Sequence, residues 1–311
     1  MIIKAPIDLE LTQNSGQTSQ PPWKLDNNIY SDVVVADNKE VLFQVKQKEN
    51  NLDFNFIGDI SNNEATKKIK TIFDLDFNLN KFYKYLNNQP ELADMTNFCR
   101  DLRLFLAKDK FECVISSVCS ANNSIVRWTK SIDDIKKSWG NKYTYSEKDY
   151  FTFPDVSDFK NIYCDDVEEF ECCSNLNNPG ECINNLKSCG VGYRAPYMKK
   201  ASEIFTLEMD LDDISKMSYD EAFDTMLKVP GVGPKVADCI LLYGFNFRQA
   251  FPTDVWIKRI VSYLYFDGKD INVSKIREFG MEEFGDYAGY VQLYLFHYAR
   301  MSGLMKKLKG M

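Results

Sequence analysis

Lys235 and Asp254 are the two side chains best placed to do covalent chemistry. A primary amine is a nucleophile only when neutral, and an unperturbed lysine is almost fully protonated near pH 7. Lys235 follows Gly231-Val232-Gly233-Pro234, and Pro234 suits the first turn of a helix, where its missing N–H is no loss. At such a helix start the dipole and partial burial disfavour the ammonium form. The freed amine can attack an electrophilic carbon and form a Schiff base. Asp254 follows Pro252-Thr253 and opens the next helix, where a carboxylate stays ionised. It can stabilise developing positive charge or help to move a proton. The bland alternatives are a surface lysine and a plain helix cap; their co-occurrence favours the chemistry.

The elements that must position this pair form a hairpin over residues 218–244. Ser218-Tyr-Asp-Glu221 reads as a capping box, and Ala222, Phe223, Met226 and Leu227 recur at helical spacing. That helix must stop at Pro230-Gly231, and a second runs from Pro234 to about Gly244. Gly231, Val232 and Gly233 make the turn. The glycines let backbone approach a partner, and the free N–H groups at the second helix start favour a phosphate.

This hairpin, with its lysine and the following aspartate, resembles the helix-hairpin-helix (HhH-GPD) DNA glycosylase superfamily. The string Gly231-Val-Gly-Pro-Lys-Val-Ala-Asp-Cys239, with Gly192-Tyr-Arg194 upstream, resembles its 8-oxoguanine DNA glycosylase/AP lyase branch. The likeness runs from roughly Gly16 to Arg300 and is densest from Asn122 onward. It implies an α+β fold: a small N-terminal antiparallel-sheet domain (1–103), then a mostly helical two-lobed body (104–311) with the active site between lobes. It implies base excision repair of double-stranded DNA: Lys235 attacks the sugar carbon that carries 8-oxoguanine opposite cytosine, and β-elimination then cuts the strand.

The same resemblance assigns further roles. Gln292 and Phe296, four apart on one helix face, read and sandwich the extruded base, with Cys239 as the opposite wall. The carbonyl of Gly16 meets the N–H at N7 that marks the oxidised base. The family continues after this glycine with an aromatic and a basic residue; here Thr18-Ser-Gln-Pro-Pro22 precedes Trp23. Asn122, Arg127, Tyr193 and Arg194 fill the gap and meet the orphaned cytosine, whose adjacent acceptors suit an arginine fork. No cofactor or metal is expected, apart from a monovalent cation on the carbonyls of the hairpin turn. Two other readings stay open: a glycosylase for a different damaged base, and a hairpin protein that only holds DNA backbone.

Composition sets wider bounds. The 311 residues carry 38 Lys and Arg against 45 Asp and Glu, a net charge of −7. That balance argues against a protein that binds nucleic acid by bulk charge, so any DNA-binding face must be local. There are 9 cysteines, with no evident leader or membrane-spanning run, so a reduced intracellular monomer is expected, in cytoplasm, nucleoid or nucleus. Cys164, Cys172, Cys173, Cys182 and Cys189 cluster, but their spacing fits no zinc or iron–sulfur pattern.

Alternation predicts strands at Asp32–Ala36, Val41–Gln47 and Leu52–Ile57, with Ile7–Thr12 as a further strand and residues 13–22 as a loop. Helices are predicted from about Asn80, at Leu102–Leu106, Lys110–Ser120, Ile125–Trp128, Ile132–Trp139, Gly180–Ser188 and Tyr197–Thr206. Three more follow the hairpin, at Asp254–Tyr265, Ser274–Phe284 and Tyr287–Leu304. The stretch Asn141–Pro179 reads as polar and irregular.

Overall fold

The computed structural model describes residues 1–37, 39–165 and 184–308. Its first part is a five-stranded antiparallel sheet in the order β1 (Ile2–Ile3), β5 (Asn51–Ile57), β4 (Lys39–Lys48), β3 (Ile29–Ala36), β2 (Lys24–Asp26). β3, β4 and β5 form the meander that the alternation implies, and β2 adds an edge strand that it does not. Asp37 (φ 52°) and Glu49 (φ 54°) take left-handed conformations at its turns. Val34, Val41, Phe43, Val45, Leu52 and Phe54 pack on helix α2 (Asn62–Ile72) through Ala65, Ile69 and Ile72. The sequence reading passed over α2, although its Ser61/Glu64 capping box is complete. The predicted strand Ile7–Thr12 is instead helix α1 (Leu9–Asn14): the Asp8 carboxylate accepts from Leu11 N at 2.8 Å and caps it.

The helical body has two lobes. One contains α5 (Lys110–Ser120), α6 (Ile125–Trp139), α7 (Val156–Phe159), α8 (Ala195–Leu207), α9 (Leu211–Ile214), α10 (Tyr219–Met226) and α11 (Pro234–Phe245). The other contains α3 (Leu79–Asn87), α4 (Met95–Phe98), α12 (Val255–Tyr265), α13 (Val273–Phe284), α14 (Ala288–Met301) and α15 (Leu304–Leu308). α3 and α4 precede residue 104 but pack in the core of the helical body. Phe77 stacks on Tyr290 of α14 with centroids 3.8 Å apart. No helix among the described residues is long and apolar enough to cross a membrane.

Several local expectations are corrected. Ile125–Trp139 is one helix, because Ser124 caps its start and nothing breaks it at Thr129–Ser131. A hairpin of β6 (Lys142–Tyr145) and β7 (Lys148–Phe151) lies in the stretch read as irregular. Its turn residues Ser146 (φ 47°) and Glu147 (φ 64°) adopt left-handed angles without glycine or asparagine, so the usual turn signal is missing. Leu102–Leu106 is not helical. It runs extended and buried between sheet and body, and side chains satisfy part of its backbone: Gln17 Oε1 accepts from Phe105 N (2.9 Å), and Gln20 Nε2 donates to Leu106 O (2.7 Å), while Leu106 N donates to Ile72 O (2.7 Å). Of the region 180–188, the part from 184 is described; Leu186–Cys189 is a short 3-10 turn. Cys172, Cys173 and Cys182 lie outside the described residues. Among those described, no three His, Cys, Asp or Glu side chains are grouped to hold a metal.

A buried ionic cluster ties the sheet to the body. Asp32 of β3 pairs with Lys108 and, at 3.2 Å, with Lys136 of α6. Glu112 of α5 lies 3.9 Å from each ammonium, fully buried and without a hydrogen bond. Burial alone would raise Asp32, but the two ammonium groups outweigh it and hold the carboxyl below the usual range. Burial pushes Glu112 up. Since folding depresses Asp32, its stabilisation is present above its unfolded value, about 3.9, and is lost as pH falls through the folded value. Asp32→Asn should lower the unfolding free energy near pH 7 by about 3–5 kcal/mol, because two ammonium groups then face one carboxylate in the interior. Urea titration measures this, and the gap between variant and parent should narrow in acid.

Candidate active site between the helical lobes

One cavity of about 70 Å³ opens between the lobes. It is lined by Lys235, Cys239 and Tyr243 of α11, by Pro252 and Asp254, by Gln292, Leu293 and Phe296 of α14, and by Ser15 to Thr18 of the early loop. Every residue expected to catalyse or to hold a base therefore faces one space. α11 begins at Pro234 with no side-chain cap, which leaves the Lys235 and Val236 N–H groups open at its positive end. Lys235 is half-buried there. Asp254 is the N-cap of α12, with Oδ1 accepting from Ile257 N at 2.8 Å. It is thus a helix cap and a wall of the cavity together. Burial pushes the Cys239 thiol up, while Lys235 and Thr18 beside it pull the other way. Burial also raises the Tyr243 hydroxyl well above its ordinary value, so this wall presents a neutral phenol. Gln292 is 8% exposed, and its Oε1 has no hydrogen-bond partner among the described residues.

Gly16 is a lining residue whose place in the wall requires glycine. Its φ is +85°, and an added Cβ would lie 2.5 Å from Ile125 Cδ1. That contact also joins the cavity to the 122–127 stretch. Asn122 (φ 50°) and Arg127 are exposed at its rim. Tyr193 is 58% exposed, with its ring 4.4 Å from the Arg194 guanidinium. Arg194 itself is buried. Its Nε and Nη2 donate to Ala121 O (2.8 and 2.6 Å), Nη2 to Asn122 O (3.1 Å) and Nη1 to Val191 O (3.3 Å). In this state the guanidinium braces the break between α5 and α6 and does not project from the rim.

In the hairpin turn, Gly231 and Gly233 face solvent, but the Val232 side chain is buried and its N–H donates to Val229 O at 3.0 Å. Gly231 is required from within: at φ +82°, a Cβ would meet the Tyr197 ring at 2.7 Å. At Gly233 the space is open.

Sequence reasoning missed what anchors α11. Asp238, one turn past Lys235, is fully buried. Arg277 of α13 donates to it through Nε (2.6 Å) and Nη2 (3.1 Å), and the Tyr219 hydroxyl of α10 donates to the same carboxylate. Arg277 also lies 4.0 Å from the centroid of Phe223. The group fixes the rotation of α11, and with it the direction of the Lys235 amine. The available signal was a charged residue inside the apolar run that follows Pro234.

Residues 1–114 match the family description of the 8-oxoguanine DNA glycosylase N-terminal domain, and residues 115–285 that of the HhH-GPD superfamily of base excision DNA repair proteins. The chain is 44% identical over 303 residues to a probable N-glycosylase/DNA lyase of Methanothermobacter thermautotrophicus, covering 97% of this chain and 96% of that one. An N-glycosylase/DNA lyase of Saccharomyces cerevisiae is 25% identical over 334 residues, covering 95% and 84%. Among solved structures, the 8-oxoguanine glycosylase/lyase of Clostridium acetobutylicum, in complex with double-stranded DNA containing cytosine opposite 8-oxoG, aligns with a TM-score of 0.78. It is 29% identical and covers 97% of this chain and 98% of that one.

Arg277→Met should destabilise the protein by about 3–5 kcal/mol, since it leaves the Asp238 carboxylate buried without a counter-charge. Pairing it with Asp238→Met should restore most of that stability. Urea unfolding of the single and double variants checks both statements.

Proposed function

The chain belongs to the HhH-GPD superfamily of base excision DNA repair proteins, in its 8-oxoguanine glycosylase branch, and is a DNA N-glycosylase with lyase activity; we propose that it removes 8-oxoguanine opposite cytosine through a Schiff base on Lys235. One observation carries the reading. A single cavity holds an amine, a carboxylate and the unpartnered amide oxygen of Gln292, with Phe296 beside it. A buried acceptor left unbonded costs about 1–3 kcal/mol. A donor on the edge of an extruded base would recover that, and the Phe296 ring offers a face to stack on.

The positions support the following chemistry. The Lys235 amine attacks the sugar carbon C1′; the glycosidic bond breaks with its electron pair leaving on the base, which takes up the proton that the nitrogen gives up. Asp254 faces the positive charge that builds on the sugar. Ring opening gives the imine, loss of a C2′ proton follows, and the 3′ phosphate leaves by β-elimination. Gly16 lines the cavity opposite α11, which supports a carbonyl contact to an N–H at N7 and favours oxidised guanine over other lesions. The uncapped start of α11 and the exposed Gly231 and Gly233 support contact with a strand phosphate. The turn is built of backbone carbonyls with spare lone pairs, which suit a monovalent cation; its role would be to hold the strand. Arg127, exposed beside Asn122, is the fork best placed for the orphaned cytosine.

Borohydride should trap a covalent adduct between the wild-type protein and a duplex carrying 8-oxoguanine opposite cytosine. The adduct should vanish in Lys235→Gln. An adduct that persists in that variant, or that forms with every damaged base except 8-oxoguanine, would defeat the proposal. Arg127→Ala should reduce the preference for cytosine over adenine opposite the lesion by roughly tenfold, about the discrimination of one bidentate contact; single-turnover excision rates measure it.

A further inference from the structure

Loop 15–18 is one wall of the cavity, yet it belongs to no helix or strand, so its shape is set by the groups that grip it. Gln17 is 5% exposed and uses both ends of its amide. Nε2 donates to Ser15 Oγ and to Arg103 O, each at 2.9 Å, and Oε1 accepts from Phe105 N at 2.9 Å. Ser15 Oγ donates onward to Thr12 O at 2.8 Å. Thr18 Oγ1 lies 3.1 Å from Ser117 Oγ of α5. From the other lobe, Arg300 Nη1 donates to Ser15 O at 3.3 Å, and its guanidinium sits 5.6 Å from the Phe296 ring centroid. The Ser15–Gly16 peptide is thus held by the extended linker and by α14.

We infer that Gln17 and Arg300 are positioning residues for base recognition, which fix the Ser15–Gly16–Gln17 backbone against Lys235, Cys239 and Gln292 at the spacing that reads the edge of the extruded base. The inference rests on the base-excision reading of this cavity. Gln17 sets the loop from behind by bonding its flanks to residues 103–105. Arg300 touches the loop and the aromatic wall together, so it couples the two surfaces between which a base must fit. Neither residue is one of the two groups, Lys235 and Asp254, that the proposed reaction places at the sugar.

An abasic site offers a sugar but no base. Strand cleavage there needs Lys235 and Asp254, whereas excision also needs the wall. The test measures both reactions, under single turnover, on duplexes with 8-oxoguanine or a preformed abasic site opposite cytosine. Wild type is compared with Arg300→Ala, Arg300→Lys and Gln17→Glu; the last keeps the acceptor for Phe105 N and removes the donor. Arg300 is exposed, so its variants leave the core intact. Excision should fall roughly tenfold in Arg300→Ala and Gln17→Glu, the scale of a small misplacement of a bound group. Abasic-site cleavage should stay within about twofold, and Arg300→Lys should regain most of the loss. Unchanged excision in both variants, or equal losses in both reactions, would overturn the inference. If wild type cleaves abasic sites but leaves 8-oxoguanine in place, the substrate reading fails instead. The same comparison is then scored on the damaged base that wild type does release.

Discussion

A buried stretch of chain without a partner strand must still satisfy its N–H and C=O groups, and that demand organises this molecule. Residues 15–23 and 102–107 run side by side between the sheet and the helical body, in neither helix nor ladder. Glutamine amides take the place of several of the missing backbone partners, while the Leu106 and Ala107 N–H groups donate to the Ile72 and Tyr243 carbonyls. Gln13 accepts from Trp23 N, Gln17 bridges Arg103 and Phe105, and Gln20 joins Leu106 to the Trp23 indole. Arg103 is buried in the same seam and donates to Pro6 O and Asp74 O, each at 2.6 Å. The seam holds sheet and body in register, and its edge at residues 15–18 is the cavity wall.

The direction of the Lys235 amine depends on a second arrangement of the same kind. Lys235 projects from the first turn of α11, so its direction follows the rotation of that helix. A buried carboxylate one turn on, bonded to Arg277 and Tyr219 from two other helices, prevents that rotation from drifting. Asp254 needs no such device, because capping α12 already fixes its side chain. The amine and the carboxylate thus reach one cavity by different local means.

The contrast explains which parts of the site the sequence revealed. Lys235, Asp254 and the hairpin were legible because capping box, proline and glycine act within a few residues. Gln292 and Phe296 were legible through helical spacing and the resemblance. Leu102–Leu106 misled because its apolar composition says nothing about which groups bond its backbone. Gln17 and Asp238 carried no local signal for their roles, since their partners lie at 103–105 and 277. Arg194 matched a motif, but the motif does not reveal that Ala121, Asn122 and Val191 carbonyls occupy its guanidinium. The β6–β7 hairpin escaped because its turn uses serine and glutamate at left-handed angles.

Because the cavity closes only when residues 15–18 meet 292–296, its parts are made at opposite ends of translation. A ribosome adding 5–20 residues per second needs roughly 2–8 s to go from Asp254 to Phe296. Throughout that interval the chain holds the hairpin residues, Lys235 and Asp254, but not Gln292 or Phe296. The long sequence separation means that a chain cut before Phe296 keeps the lysine and the aspartate yet lacks one wall of the cavity.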